Sequence, residues 1–180
     1  MNMKTERRSI QVDSLSETNL LTVVRQKAIR YIGISNKSSG RVKDYLSNKG
    51  YPDSVVESVV QGLKQDGYID DLRVARSVIS TRQEGKAEGK SRLKLRLLRQ
   101  GIPEDVADDA LRSVPSDSET IHAVLTDLYH SEGPVELGRD QFRTTVTKCS
   151  RFLLSRGYSY DLISYSLTRF FSQTDQVDPE

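Results

Sequence analysis

The 180-residue sequence predicts an all-α fold, an elongated array of three tandem three-helix repeats. Three observations carry that prediction. Leu, Ile, Val and Phe make up 47 of the residues, about 26% against the roughly 20% below which disorder is the default. Apolar residues recur at the three- and four-residue spacing of a helical face, not in the alternation of a half-buried strand. One pattern also occurs three times, around Gly50, Gly101 and Gly157. Leu46, Leu97 and Leu153 stand four residues before these glycines, and Tyr51, Ile102 and Tyr158 one residue after. Val55, Val106 and Leu162 follow at five residues, Val60, Leu111 and Leu167 at ten, and Leu63, Val114 and Phe170 at thirteen. The glycines are 51 and 56 residues apart, room for three helices and their turns in each interval.

In the first repeat, 18–68, the stretch Thr18 to Tyr31 puts Leu21, Val24, Ala28 and Tyr31 on one helical face. Ser38 or Ser39 can cap a second helix carrying Val42 and Leu46, which Gly50 ends by taking up the left-handed conformation without steric cost. Pro52 starts the third helix, because its fixed φ and missing N–H suit a first helical turn. Valine favours sheets, but Val55, Val56, Val59, Val60 and Leu63 are spaced as a helix.

The second repeat, 69–115, opens at Asp70-Asp71 as N-cap and first-turn acid and runs through Val74, Ala75, Val78 and Ile79. It turns around Gly85 to Gly89, resumes from Lys90 to Gln100, and starts its last helix at Pro103. The third repeat, 116–173, has helices near Glu119 to His130, Gln141 to Arg156 and Tyr160 to Phe171, with a turn at Gly133, Pro134 and Gly138. Residues 1–17 and 174–180 have weak apolar patterning and are expected to be flexible extensions.

Net charge is only +2, but it is unevenly distributed. From Arg73 to Gly101 nine bases face two acids, a balance of +7, whereas from Pro103 to Glu136 nine acids face Arg112 alone, a balance of −8. A basic block of this size attracts phosphates or an acidic protein surface, and the acidic block restricts orientation on a polyanion. The alternative is that the two segments neutralise each other. Cys149 is the single cysteine, and the first ten residues lack the apolar stretch of a signal peptide, which predicts a cytoplasmic chain. No apolar run approaches the ~18 residues of a membrane span.

The chemistry-bearing motifs resolve into structural ones. Gly85-Lys86-Ala87-Glu88-Gly89-Lys90-Ser91 is one residue short of the phosphate-cradling G-x-x-x-x-G-K-[ST] loop and follows a helical segment, so it reads as a helix-connecting turn. Asp70 and Asp71 diverge on a helix start, and His122, His130 and Cys149 show no metal-ligand spacing. Cys149 replaces Val42 and Leu93 at the equivalent repeat position, which predicts a core residue. No catalytic set, cofactor or metal is expected.

The strongest functional feature is the middle helix of the second repeat. At 100° per residue, Arg92, Arg96 and Arg99 fall within about 60° of one another, away from Leu93 and Leu97. Guanidinium forks bind phosphates or carboxylates bidentately and stay charged. Arg41 and Lys148 occupy the register of Arg92 in the first and third repeats, and Lys90 and Lys94 flank the stripe. Stacked repeats would present these seven residues as an extended binding surface. Solubilising charge balanced by the acidic helix that follows is the plainer reading. Tyr51 and Tyr158 sit beside glycines where packing explains them, while Tyr160 and Tyr165 are candidates for exposure.

The string Gly67-Tyr68-Ile69-Asp70-Asp71-Leu72-Arg73-Val74-Ala75, followed by Gly89 to Arg99 and Gly101-Ile102, resembles the RecX family of bacterial RecA-regulating proteins. The opening Arg156-Gly157-Tyr158-Ser159-Tyr160-Asp161 extends the resemblance to the third repeat, about residues 18 to 172 in all. Val74 stands where the family usually has an aromatic residue, and the turn from Ser131 to Asp140 is longer than the family pattern. The resemblance implies a monomeric, non-enzymatic protein that binds the RecA recombinase filament on DNA. It would restrain ATP hydrolysis, strand exchange and stimulated repressor cleavage, in recombination, repair and the SOS response. Direct DNA contact stays open, and an autonomous, non-specific DNA-binding helical protein is the alternative.

Overall fold

The computed structural model describes residues 17–83, 86–132 and 139–174. The extensions expected at 1–17 and 174–180, apart from Glu17 and Thr174, lie outside the described residues, as do Gly85 and the Gly133 to Gly138 turn. Among the described residues there are nine helices and no strand. They are α1 Glu17–Ile32, α2 Ser39–Asn48, α3 Asp53–Gln65, α4 Asp71–Ser80, α5 Lys90–Arg99, α6 Glu104–Arg112, α7 Asp117–Glu132, α8 Arg139–Ser155 and α9 Tyr160–Thr174. The chain is thus an all-α array in which the three-helix pattern recurs.

The repeated glycines do what the pattern requires. Gly50, Gly101 and Gly157 have φ of 83°, 75° and 84°, the left-handed conformation that closes α2, α5 and α8. The leucine one turn earlier is fully buried each time, at Leu46, Leu97 and Leu153. Truncating any of them to alanine would cost about 2–5 kcal/mol. Tyr51, Ile102 and Tyr158, which follow the glycines, are buried as well.

Contacts divide the chain into two compact units, one reaching Val74 and including Gln100–Pro103, the other comprising Ala75–Arg99 and the chain from Glu104. In the first, α1, α2 and α3 pack on one another around Val24, Ala28, Val42, Leu46, Val56, Val60 and Leu63. The valine run of α3 is helical, as its spacing predicts, and all of Val55, Val56, Val59, Val60 and Leu63 are buried. Tyr31 stacks on Tyr45 with ring centroids 4.0 Å apart. Ser38 is the N-cap of α2, its hydroxyl accepting from the Arg41 amide at 3.3 Å. Pro52 stands one place earlier than expected: with ψ at 142° it is the extended N-cap of α3, not its first helical residue. Asp70 accepts from the Arg73 amide at 2.8 Å, capping α4.

In the second unit, Ile121, Val124 and Leu125 of α7, Cys149 and Leu153 of α8, and Ile163 and Leu167 of α9 form one core with Ala87 and Tyr158. Cys149 is buried, as its repeat register, equivalent to that of buried Val42 and Leu93, predicts. Leu93 and Leu97 of α5 and Ala107, Ala110 and Leu111 of α6 are buried too. A capping box starts α7: Ser116 donates its amide to Glu119 at 2.7 Å, and the Glu119 amide returns a bond to the Ser116 hydroxyl at 3.3 Å.

Candidate functional site

The start of α5 is fixed by residues that follow it in sequence. The Gly89 amide donates to the Arg156 carbonyl at 3.0 Å, and Arg156 returns its guanidinium to the Ala87 carbonyl at 3.2 Å. The Lys90 amide donates to the Asp117 carboxylate at 2.8 Å, so a side chain from α7 satisfies a donor that α5 leaves unpaired. Gly157 approaches the first turn so closely that a Cβ placed on it would lie 2.5 Å from the Arg92 Cβ. The described part of the turn read from the sequence, Lys86 to Ser91, therefore leads into α5 and presents Glu88 inward.

Glu88 organises two arginines of the stripe. Its carboxylate is buried and accepts both forks of Arg96, from Nε at 3.0 Å and from an Nη at 2.7 Å. Arg92 Nε stands 3.5 Å away. Burial pushes the Glu88 carboxyl upward, but the bonds and charge of Arg96, with the charges of Arg92 and Arg82, overcome it and hold the pKa below the usual carboxylate range. The Glu88 bond raises Arg96 in turn.

The seven sequence-predicted site residues occupy several environments. Arg92, Arg96 and Arg99 share α5, with Arg92 and Arg99 exposed and Arg96 half-buried against Glu88. Lys94 is held by Glu104 and Asp108 of α6, both at 2.8 Å, and the bonds to these carboxylates raise its pKa. Neutralisation of the basic segment by the acidic one thus occurs at Lys94. Lys90 and Lys94 line a cleft of about 330 Å³ with Ser91, Asp108, Leu111 and Arg112. Lys148 is exposed on α8 in the second unit, and Arg41 is exposed on α2 in the first.

Sequence reasoning missed three features. Glu88 lies eight residues from Arg96 across a turn, beyond any helical spacing rule. Asp117 reads locally as a first-turn acid, although it caps another helix. Leu95 and Leu98 are 47% and 38% exposed, a result that a helical wheel could have given, since both point away from Leu93 and Leu97. Tyr160 and Tyr165 are exposed, as anticipated. Among the described residues no group of three or more His, Cys, Asp or Glu side chains is placed to hold a metal. No helix among them is long and apolar enough to cross a membrane.

Two family models match the chain, the first three-helix domain of RecX over residues 25–63 and the second over residues 70–111. The protein named Regulatory protein RecX in Prosthecochloris aestuarii is 30% identical over 141 residues, covering 78% of this chain and 89% of its own. The Regulatory protein RecX of Chlorobium limicola is 28% identical over 153 residues, covering 85% and 90%. In fold, the chain is similar to the crystal structure of RecX from Lactobacillus salivarius, with a TM-score of 0.66 at 20% identity, covering 86% of this chain and 99% of that one. The recurring three-helix pattern, its glycine closures and these relatives agree, and the chain belongs to the RecX family of regulatory proteins.

Proposed function

We propose that this chain binds the RecA recombinase filament assembled on DNA and restrains its ATPase, strand-exchange and coprotease activities, acting in the cytoplasm as a monomer without catalysis of its own. A regulator of this kind serves recombination, repair and the SOS response. Family membership supports the regulatory role, and the single observation that carries the binding surface is the arginine face of α5. Arg92 and Arg99 are exposed there, and Glu88 fixes the Arg96 fork. Arg41, Lys90, Lys94 and Lys148 are the further partner-binding residues of the reading, and 18–68, 69–115 and 116–173 are its repeats. A chain spanning neighbouring filament subunits would hinder their growth or rearrangement.

The test is the RecA ATPase on single-stranded DNA, titrated with this protein below one copy per recombinase subunit, beside a DNA-only binding control at two salt concentrations. Inhibition at substoichiometric ratios is the expected result. Inhibition that appears only once the protein saturates free DNA, with the steep salt dependence of phosphate contacts, would establish the autonomous DNA-binding alternative instead.

A further inference from the structure

We infer that the outer face of α5 docks a protein surface whose apolar patch is fringed by carboxylates, with Leu95 and Leu98 as the anchors. The inference rests on the recombinase-binding reading and specifies how that face recognises its partner.

Leu95 and Leu98 are 47% and 38% exposed, while Leu93 and Leu97 of the same helix are fully buried. One exposed leucine is ordinary. Two at a three-residue spacing form a neighbouring pair on one face, and at 100° per residue Leu95 lies about 60° from Arg92 and about 40° from Arg99. An apolar pair edged by arginines has the composition of a protein interface core, where Arg is enriched and a few anchors carry most of the affinity.

Glu88 argues independently in the same direction. A face built to follow phosphates gains from every unpaired cation, because affinity rises with each counterion released. Here a buried carboxylate accepts both forks of Arg96 and faces Arg92 at 3.5 Å, while Lys94 is held by Glu104 and Asp108. The positive field is trimmed, and the leucines remain.

The pair is confined to α5. On α8, Leu154 occupies the register of Leu98 and is 46% exposed, with Lys148 at the register of Arg92 and Arg151 at that of Leu95. The start of α5 is joined to the end of α8 through Gly89 and Arg156, so both leucine-bearing helices belong to one packed unit. On α2 the corresponding residues are Ser47 and Asp44. The apolar pair is thus a property of α5, with a single leucine kept on α8, whereas the basic register is shared by all three helices. Carboxylates around an apolar patch complement both components, and a bare phosphate backbone complements only the second.

The experiment compares the full-length wild type, Leu95→Gln/Leu98→Gln and Leu95→Lys for binding to RecA filaments and to free single-stranded DNA. Glutamine and lysine are good helix formers, and far-ultraviolet circular dichroism checks the helix. The double variant should bind filaments about tenfold or more weakly and free DNA within about twofold of wild type, because the basic residues stay. Leu95→Lys should move the two affinities in opposite directions, weaker for filaments and stronger for DNA. Filament affinity unchanged in the double variant, or raised alongside DNA affinity in Leu95→Lys, would overturn the anchor role alone. A wild type that does not bind filaments would overturn the recombinase reading and this inference together.

Discussion

Asp71, in the first turn of α4, accepts the amide of Ser39 and the hydroxyl of Ser39, each at 2.7 Å, although the two residues belong to different helices. Lys64 Nζ completes the carboxylate's surroundings at 2.9 Å, and the Asp71 side chain is only 4% exposed. The geometry repeats where the Asp117 carboxylate accepts the amide of Lys90. In both places an acid at the start of one three-helix segment accepts the first amide of the middle helix of the segment before it.

Asp71→Ala would strand the Ser39 amide and hydroxyl in a buried position and leave Lys64 without this partner. Bonds to a charged acceptor contribute about 1.5–3 kcal/mol, so the variant should lose about 2–3 kcal/mol in denaturant unfolding. Asp117→Ala removes a single capping bond and should cost about 1 kcal/mol. Equal losses at the two positions would mean that the Ser39 hydroxyl and Lys64 add nothing at Asp71.

Glycine-to-alanine substitutions at Gly40 and Gly62 should have opposite signs. Both glycines are in helices, where alanine is ordinarily favoured by roughly 1 kcal/mol. At Gly62 an added Cβ would sit 3.5 Å from the Arg25 guanidinium, an ordinary contact, so Gly62→Ala should stabilise by about 0.5–1 kcal/mol. At Gly40 the new Cβ would fall inside the Gly101 carbonyl, which the Gly40 amide also binds at 2.9 Å. Backbone has to move there, and overpacking of this kind costs about 1–3 kcal/mol. Thermal unfolding of the two variants measures both signs.

The same residues show how far the sequence could be read. Leu46, Leu97 and Leu153 with their glycines were legible, because a helix end is local chemistry repeated at a fixed register. The Asp71–Ser39 and Glu88–Arg96 contacts were not, since they join residues 32 and 8 positions apart through turns whose path no periodicity encodes. Asp71 looked like a helix-start acid because it is one, and its second role depends on where α2 packs. The arginine register was legible, but Glu88 divides its members. Arg96 is tied into the fold, whereas Arg92 and Arg99 remain exposed at the surface.

Acid should weaken the fold through Glu88. Its folded pKa lies below the ordinary carboxylate value, despite the opposing effect of burial, because Arg96 bonds it and Arg92 and Arg82 add their charge. A depressed carboxylate contributes stability that is fully present above its unfolded pKa and is lost as pH falls through the folded one. Stability should therefore decline on acidification from the unfolded glutamate range of about 4.3 downward. Glu88→Gln should flatten that part of the profile and, at neutral pH, cost about 1.5–3 kcal/mol through weakened bonds to Arg96. Chemical denaturation at a series of pH values checks both, and an unaltered acid limb in the variant would assign the decline to other carboxylates.

Reversing charge along α5 should separate binding from folding, provided that Arg96 is left alone. Arg96→Glu would set a second carboxylate against the buried Glu88 and destabilise the chain, so a loss of activity in that variant says little about the partner. Arg92→Glu/Arg99→Glu instead changes two exposed positions. At Arg92 the change gives up the contact with Glu88 at 3.5 Å, across a side chain that is 46% exposed and hence well screened. The double variant should keep its helix content and lose under about 1 kcal/mol of stability, while the concentration needed to inhibit the RecA ATPase rises at least about tenfold. Raising salt should weaken wild-type binding more steeply than that of the variant, because the wild type has more cations to screen. Inhibition by a folded Arg92→Glu/Arg99→Glu chain at the wild-type concentration would take the α5 arginines out of the interface.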